Sequence, residues 1–355
     1  MDDILDENTT SFFAKRKNKP VVSNNGVNSA IGLDIGTANI VVAGKKNDDI
    51  HTHSQLNAFF KIPKTKTTKK ILMGKNILFF EKDGHFFILG NSAENIANIF
   101  GRNTKRPIKN GLLNPNEMDG INVLMAILKK LIPEPENPDT PIWFSVPGAP
   151  VGKPDSVVYH ESILQMNLKN LGYDPKPVNE GLTVIMSELA DNNSSGIGIS
   201  LGGGMCNICL AYLSIPVVSY SIQKGGDFID NMVGSSLNEP ATKIKVIKEQ
   251  ELNLSLEPRN RIETGLHIYY DNLFADLAKS LQDVLGTTEK VSLPNALPLV
   301  ISGGTVMPRG SREKFVKALD NVDLPIKISD VILAVNPLQT TATGALMMAM
   351  AEEEI

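Results

Sequence analysis

Residues 199–213 read ISLGGGMCNICLAYL, an apolar run that is interrupted by three consecutive glycines. The pattern predicts a strand over 196–202 that turns on the glycines into a second strand over 206–213. Glycine directly after a strand lets the backbone approach a ligand closely and point successive N–H groups at an anion. The stretch is therefore either a phosphate-binding turn or only a tight hairpin, and the polar residue before the turn, Ser200, bears on that choice.

Two other glycine-containing turns also follow apolar strands directly. DIGTAN occupies 34–39, and SGGTVM occupies 302–307. Each turn alone is a weak signal because glycine hairpins are common, but the order and spacing of the three are more specific. A strand hairpin followed by crossover helices begins near residue 30 and again near residue 196. This repetition predicts two related α/β halves.

Composition limits the class of protein. The chain has 355 residues, 42% hydrophobic and 21% charged, which is typical of a soluble globular protein with room for two domains. Its formal net charge of -4 argues against a nucleic-acid partner, because neutralising phosphates requires a basic excess. No apolar run approaches the roughly 20 residues that span a bilayer, and MDDILDENTT lacks the order of a signal peptide. We expect a cytoplasmic protein, peripheral to a membrane at most.

Local patterns lead to four further expectations. Cys206 and Cys209 lie three apart on a predicted strand and point to opposite faces, so we expect two small buried side chains rather than a metal or redox site. Residues 1–28 are expected to form a solvated tail or, alternatively, a short segment that touches a partner or a membrane. KIPKTKTTKK at 61–70 predicts an exposed mobile loop, and helical periodicity predicts one helix over about 227–251.

The three turns and the segments between them resemble the actin, heat-shock chaperone and sugar kinase ATPase superfamily, and most of all the bacterial actins of the MreB and MamK type. IGLDIGTANIVVAG is similar to the first phosphate loop, GISLGGGMCNICLAYL to the second, and PLVISGGTVMPRG to the adenosine-binding turn. Shorter similarities include IKNGLL, IWFSVPGAP and NEGLTVIMSEL. The resemblance covers roughly residues 30–350.

The resemblance implies an α/β fold of two related actin-like domains, each a mixed sheet flanked by helices, with a nucleotide cleft between them. The implied divisions are a tail at 1–28, domain I at 29–178 with an insertion at about 55–110, domain II at 179–338 with a minimal insertion at about 251–262, and a C-terminal helix at 339–355 that returns to domain I.

The resemblance also implies that ATP or ADP binds in this cleft together with Mg²⁺. The two hairpin turns would hold the phosphates through backbone N–H groups, and the third turn would lie against the adenosine. The positions that match are Gly36, Thr37, Ala38, Asn39, Gly202, Gly203 and Gly204 for the phosphates and Gly303, Gly304 and Thr305 for the adenosine.

Five side chains receive roles from the same resemblance. Asp34 would orient a water on Mg²⁺, Asp227 would take the ribose hydroxyls, and Glu180 would position the attacking water. Lys243 and Lys245 would lie beside the adenine ring. The residues alone also allow plainer roles, namely turn capping by Asp34, a helix-start position for Glu180 and a solvated face for the lysines.

The chain departs from the family at two places. The family normally has aspartate at Ser200 and threonine at Met205. A serine hydroxyl still bonds to a metal-bound water but carries no charge, so we expect weaker metal positioning and slower hydrolysis. The small subdomain that bacterial actins insert beside the adenine pocket is reduced to ELNLSLEPRNR.

The leading interpretation is an ATP-binding cytoskeletal protein that self-associates head to tail into filaments and hydrolyses ATP slowly. The alternative is a non-polymerising adaptor that binds nucleotide and recruits a membrane-associated or tail-binding protein partner. The reduced insertion and the missing carboxylate favour the adaptor. A small-molecule kinase is a third alternative, but no substrate cleft with a general base is evident in the sequence. Fold similarity alone does not separate these functions.

Overall fold

The computed structural model describes residues 30–353, except 48, 136, 138–139, 153–155 and 288–295. The expected tail at 1–28 lies outside these residues. Two five-stranded sheets dominate the described part of the chain, and both have the same topology. In each, three consecutive strands form an antiparallel meander, a later strand pairs in parallel with the first of them, and a fifth strand pairs in parallel with that later strand.

The first sheet has the order β10-β9-β1-β2-β3. Its strands are β1 (Ile31–Ile35), β2 (Asn39–Lys46), β3 (Asp49–Leu56), β9 (Pro141–Val146) and β10 (Asp174–Asn179). The second sheet has the order β13-β12-β11-β14-β15. Its strands are β11 (Gly196–Leu201), β12 (Cys206–Tyr212), β13 (Ile215–Ile222), β14 (Leu297–Ser302) and β15 (Ile328–Leu333). The repeated topology confirms the prediction of two related halves.

The helices cover the two sheets and fill the space between them. They are α1 (Lys66–Gly74), α2 (Asn91–Ile99), α3 (Gly120–Leu131), α4 (Ser156–Asn170), α5 (Glu180–Glu188), α6 (Gly226–Leu237), α7 (Ala241–Gln250), α8 (Arg261–Thr287), α9 (Ser311–Leu319) and α10 (Thr340–Glu353), with 3₁₀ turns at Ala190–Asn192 and Gly304–Val306. One core joins α3 and α4 to the first sheet. Another core joins the helices α6, α7, α8 and α9 to the second sheet. None of the described helices is long and apolar enough to span a membrane.

Helices α5 and α10 cross at very short range between the sheets. Helix α10 packs on β1 and on α5, and α5 packs in turn on β11 and β12. A Cβ added to Gly344 of α10 would lie 2.6 Å from the carbonyl carbon of Thr183, and one added to Gly32 of β1 would lie 2.8 Å from the Cβ of Leu346. Glycine is therefore required at this crossing, because the backbones occupy the space of a side chain.

A smaller subdomain is inserted between β3 and β9. Its sheet, with the order β4-β6-β5, consists of β4 (Phe59–Pro63), β5 (Phe79–Lys82) and β6 (His85–Leu89), and a short hairpin pairs β7 (Ile108–Lys109) with β8 (Leu112–Leu113). The predicted mobile loop at 61–70 is wrong, because this stretch ends β4 and begins α1. The Thr65 side chain caps α1 by accepting a bond from the Thr68 N–H at 3.0 Å, and Leu72 anchors the helix by burial.

The single helix expected over 227–251 is two helices, α6 and α7. Asn238 ends α6 in the left-handed conformation with φ of 56°, and Pro240 precedes the first residue of α7. Asparagine tolerates this conformation, and proline lacks the N–H that would continue the helix. Between α7 and α8, residues 251–260 form one isolated bridge, Asn253 to Arg309.

The two cysteines are free and fully buried, as predicted. Cys206 belongs to the core between the second sheet and its outer helices, whereas Cys209 packs with α5 on the opposite face. Burial raises the pKa of both thiols, and that of Cys209 reaches about 12. They act as small core side chains.

Candidate functional site

A cleft opens between the two sheets, where the β1–β2 and β11–β12 hairpins face each other. Its empty volume is about 860 Å³, including the part that is open to solvent. The sequence-predicted residues that line it are Asp34, Gly36, Thr37, Ala38, Asn39, Glu180, Gly202, Gly203, Gly204, Asp227, Lys245, Gly303, Gly304 and Thr305. Lys243 lies outside this lining. The three turns quoted above thus meet at one place.

The two hairpin turns are closed by the same hydrogen bond. The Gly36 N–H donates to the Asn39 carbonyl at 2.9 Å, and the Gly202 N–H donates to the Met205 carbonyl at 3.0 Å. The turns also touch across the cleft, since a Cβ added to Gly203 would lie 3.0 Å from that of Ala38. Both halves of the chain therefore present the same glycine turn to the same space.

The first turn is held from outside by residues that the sequence did not indicate. The Asn57 side-chain amide donates to the Gly36 carbonyl at 2.9 Å, and the Asn57 N–H donates to the Ala38 carbonyl at 2.8 Å. The Gly111 N–H, from the β7–β8 hairpin, donates to the Thr37 hydroxyl at 2.9 Å. These bonds fix the Gly36 and Ala38 carbonyls and the Thr37 hydroxyl.

The second turn is held by the start of α6 and by the glycine turn at 302–307. The Gly202 carbonyl accepts bonds from the Gly226 N–H at 3.0 Å and from the Thr305 hydroxyl at 2.8 Å. The Asp227 N–H donates to the Gly203 carbonyl at 2.8 Å. Three segments far apart in sequence are thereby locked into one wall of the cleft.

Two carboxyl groups, of Asp34 and Glu180, lie at the floor of the cleft. Burial raises the pKa of Asp34 to about 6, although a hydrogen bond from Ser145 at 2.7 Å lowers it. Burial, and then the charge of Asp34, raises the pKa of Glu180 to about 8. A bound cation or a bound proton would stabilise two carboxyl groups that share one desolvated space, because it offsets their negative charge.

Both oxygens of the Glu180 carboxylate are held by donors from the second sheet. The Ser200 hydroxyl donates to Oε1 at 2.7 Å, and the Asn207 amide donates to Oε2 at 2.7 Å. These bonds lower the pKa of Glu180, but burial outweighs them. The serine before the glycine turn thus contacts a carboxylate directly.

Asp227 lies at the cleft, but in this structure it has a protein partner. One guanidinium nitrogen of Arg106, from the inserted subdomain, contacts both of its carboxylate oxygens at 2.8 and 2.7 Å. Arg106 is 121 residues away in sequence, and no local pattern indicated it. Ribose hydroxyls that bind Asp227 would have to share it with this guanidinium.

The lysines of α7 divide differently from the prediction. Lys243 is half exposed and pairs with Glu239 at 2.8 Å, so its expected place beside a base is not observed. Lys245 lines the cleft and pairs with Glu94 at 2.6 Å, and Lys248 also lines it and pairs with Asp230. Residues three apart share a helix face, so the spacing from Lys245 was the signal that pointed to Lys248.

The inserted subdomain reaches across the cleft at its rim. Besides the Arg106 and Glu94 ion pairs, the Thr242 hydroxyl donates to the Asn103 side chain at 2.9 Å. Residues 94–106 are therefore tied to α6 and α7 of the other half. These contacts hold the cleft in the geometry described.

The arrangement is suited to a polyanion and a hydrated cation. Glycine turns let the backbone approach an anion closely and point N–H groups at it. Only glycine fits at Gly225 and Gly204, where a Cβ would collide with backbone. The desolvated Asp34 and Glu180 supply oxygen ligands of the type that a divalent cation or its waters prefer.

Comparison with known proteins decides the family. The sequence profile of the Volactin family matches residues 29–349. The chain belongs to the Volactin family. No curated protein sequence matches significantly.

Among solved structures, a MamK double helical filament aligns with a TM-score of 0.67 at 17% identity, covering 91% of this chain and 98% of that one. A non-polymerising MamK mutant bound to AMPPNP aligns with a TM-score of 0.56 at 17% identity, with 91% and 98% of the two chains covered. The ethanolamine utilization protein EutJ from Carboxydothermus hydrogenoformans gives 0.55 at 15% identity, with 92% of each chain covered. The chain therefore has the same fold as these structures, which confirms the α/β fold of two related domains that was predicted from the sequence.

Proposed function

We propose that this Volactin-family chain is an ATP-binding protein of the actin-like cytoskeleton that polymerises into filaments. The observation that carries the nucleotide part is the pair of glycine turns, closed by the same hydrogen bond and facing each other across one cleft. A single glycine turn is common, whereas two opposed turns with carboxylates at the floor are suited to a triphosphate with its cation.

In this proposal the residues that line the cleft have separate tasks. The two turns hold the phosphates, Gly303 and Gly304 lie against the adenosine, and Lys245 and Lys248 border the base. Asp34 would orient a water on Mg²⁺, and the charge of the ion would offset that of the phosphates and of the buried carboxylates. The protein is proposed to act in the cytoplasm.

The proposal that the protein polymerises rests on its fold and on the geometry of the cleft. The MamK structure that aligns with most of this chain is a double helical filament. Contacts such as Arg106 with Asp227 join the two halves at the cleft rim, so a ligand in the cleft would set the angle between the halves. A head-to-tail contact that depends on this angle propagates without closing and yields a filament.

The test is sedimentation and electron microscopy of the purified chain with ATP and Mg²⁺. We expect filaments from the wild type and none from Asp34→Ala, with nucleotide binding weakened in that variant. Asp191→Ala is the control, because it removes an exposed aspartate of the 3₁₀ turn outside the cleft lining. Soluble wild-type protein that binds no ATP contradicts the proposal.

The adaptor remains the second candidate because of a specific observation. The segment at 251–260 forms only one bridge, so the small subdomain that is inserted there in bacterial actins is absent from this described stretch. Wild-type protein that binds ATP with unchanged sedimentation would favour the adaptor. A membrane-associated or assembly protein would then be its expected partner.

A further inference from the structure

Ser200 occupies a special place in the repeated architecture. It stands before the glycine turn of β11, as Asp34 stands before the glycine turn of β1. In the first half, the carboxylate of Asp34 accepts a hydrogen bond from Ser145 on the neighbouring strand at 2.7 Å. In the second half, Ser200 is itself the donor, and its acceptor is Glu180.

The contact between Ser200 and Glu180 belongs to a short buried chain of bonds. Ser200 and Asn207 are direct partners across the β11–β12 ladder and are 3% and 1% exposed. The Asn207 amide group donates to Glu180, and its carbonyl oxygen accepts the Gly148 N–H at 3.0 Å. The side chain of Asn207 is therefore fixed at both ends, and Glu180 is fixed by two side chains.

The helix that carries Glu180 is also fixed where it begins. The Asn179 side chain caps α5 by accepting a bond from the Leu182 N–H at 3.1 Å. With the backbone held by this cap and both carboxylate oxygens held by donors, the Glu180 side chain has one orientation. That orientation faces the cleft, which both Glu180 and Ser200 line.

The Ser200 hydroxyl donates to Glu180 whether or not Glu180 is ionised. An aspartate at position 200 would make this contact only when it or Glu180 carries a proton, because two ionised carboxylates have no proton to share. It would also add a third carboxylate to the desolvated space that Asp34 and Glu180 already share. The Ser200 hydroxyl is thus a better partner for Glu180 than the aspartate that the resemblance to bacterial actins implies at this position.

We propose that Ser200, together with Asn207, is a positioning residue that holds the Glu180 carboxylate in the orientation that aligns the attacking water. This inference rests on the proposed function. In the hydrolysis concerned, the water oxygen bonds to the γ-phosphorus while the bond from that phosphorus to its bridging oxygen breaks. The products are ADP, inorganic phosphate and the proton that leaves the water. Ser200 therefore supports turnover, contrary to the expectation that it only weakens a metal site.

The test separates binding from turnover in the full chain. ATP affinity is measured with a fluorescent ATP analogue, and turnover is measured as single-turnover phosphate release with ATP and Mg²⁺. We expect Ser200→Ala to keep its affinity within twofold while phosphate release slows about tenfold, since the hydrogen bond that orients Glu180 is lost. Ser200→Thr retains the hydroxyl and should recover most of the rate.

Two comparisons guard against a purely structural effect. Ser311→Ala removes a buried hydroxyl that donates to the Pro308 carbonyl at 2.6 Å, away from the cleft lining, and should change neither affinity nor rate. A double-mutant cycle combines Ser200→Ala with Glu180→Gln, and the free energy of unfolding of each protein is measured in urea without nucleotide. The two losses of stability should not be additive, because the two side chains are in contact.

Several results would overturn the inference. These are an unchanged rate in Ser200→Ala, a rate no higher in Ser200→Thr than in Ser200→Ala, faster phosphate release in Ser200→Asp, or wild-type protein that binds ATP and releases no phosphate. Each of them leaves nucleotide binding intact. Failure of the proposed function has a different signature, namely wild-type protein that does not bind ATP at all.

Discussion

Substitution of Gly225 by alanine should loosen the second glycine turn from helix α6. Gly225 has an extended backbone, with φ of -161°, so the substitution adds no backbone strain. The added Cβ would lie 2.5 Å from the Gly202 carbonyl oxygen and 2.7 Å from that of Gly203, whereas ordinary contact requires about 3.4 Å. The turn and the helix must therefore separate by about 0.7 to 0.9 Å.

That separation breaks the bonds that join the turn to the helix. The Gly226 and Asp227 N–H groups donate to the same two carbonyls at 3.0 and 2.8 Å, and the separation takes both beyond hydrogen-bonding distance. At about 1 kcal/mol each, the loss is about 2 kcal/mol in this wall of the cleft. We expect ATP affinity to fall about 30-fold, because the variant would have to order this wall when it binds ATP.

The assay is titration with a fluorescent ATP analogue, accompanied by thermal melting. Gly286→Ala is the control, because its Cβ meets no heavy atom within 4 Å and alanine is favoured in a helix. It should bind ATP like the wild type and melt at the same or a slightly higher temperature. ATP affinity within twofold of the wild type in Gly225→Ala, with an unchanged melting temperature, would refute the reasoning.

Three other predictions follow from the same structure. Gly344→Ala should destabilise the fold by about 2 kcal/mol or more in urea unfolding, because overpacking against the Thr183 backbone exceeds the gain in helix propensity, and stability equal to that of the wild type would contradict it. Glu180→Gln should flatten the pH dependence of stability. The pKa of Glu180 rises from 4.5 to about 8 on folding, so the unfolded chain releases the proton first and wild-type stability falls as pH rises between these values. Melting temperatures at pH 4.5 and pH 8 check this, and an equal decline in both proteins would count against it. Arg106→Ala should speed nucleotide release about tenfold in stopped-flow displacement, because the charge-assisted contact of Arg106 with Asp227 across the cleft rim is lost, whereas an unchanged rate would show that this ion pair does not restrain the cleft.

Much of the fold and of the site was predictable because the signals are local. A glycine turn after an apolar strand depends on its own residues, so the hairpins at 34–39 and 200–207 and their repeated topology followed from the sequence. The resemblance to the actin-like superfamily then predicted that the three turns meet at one cleft. Nearly all of the residues that it assigned do line that cleft. Two local predictions were wrong. The lysine-rich stretch predicted as a loop contains the start of helix α1, and Asn238 ends the helix that was predicted to continue to residue 251.

The sequence by itself determined the two glycine turns with the strands on either side of them and the carboxylate before the first turn, because these depend on neighbouring residues. Only the tertiary structure decided the partners of the site residues. Packing of the inserted subdomain on α6 brings Arg106 to Asp227, and the crossing of α5 over β11 brings Glu180 to Ser200. Such pairings join residues far apart in sequence, so they depend on how whole elements pack, which no local pattern encodes.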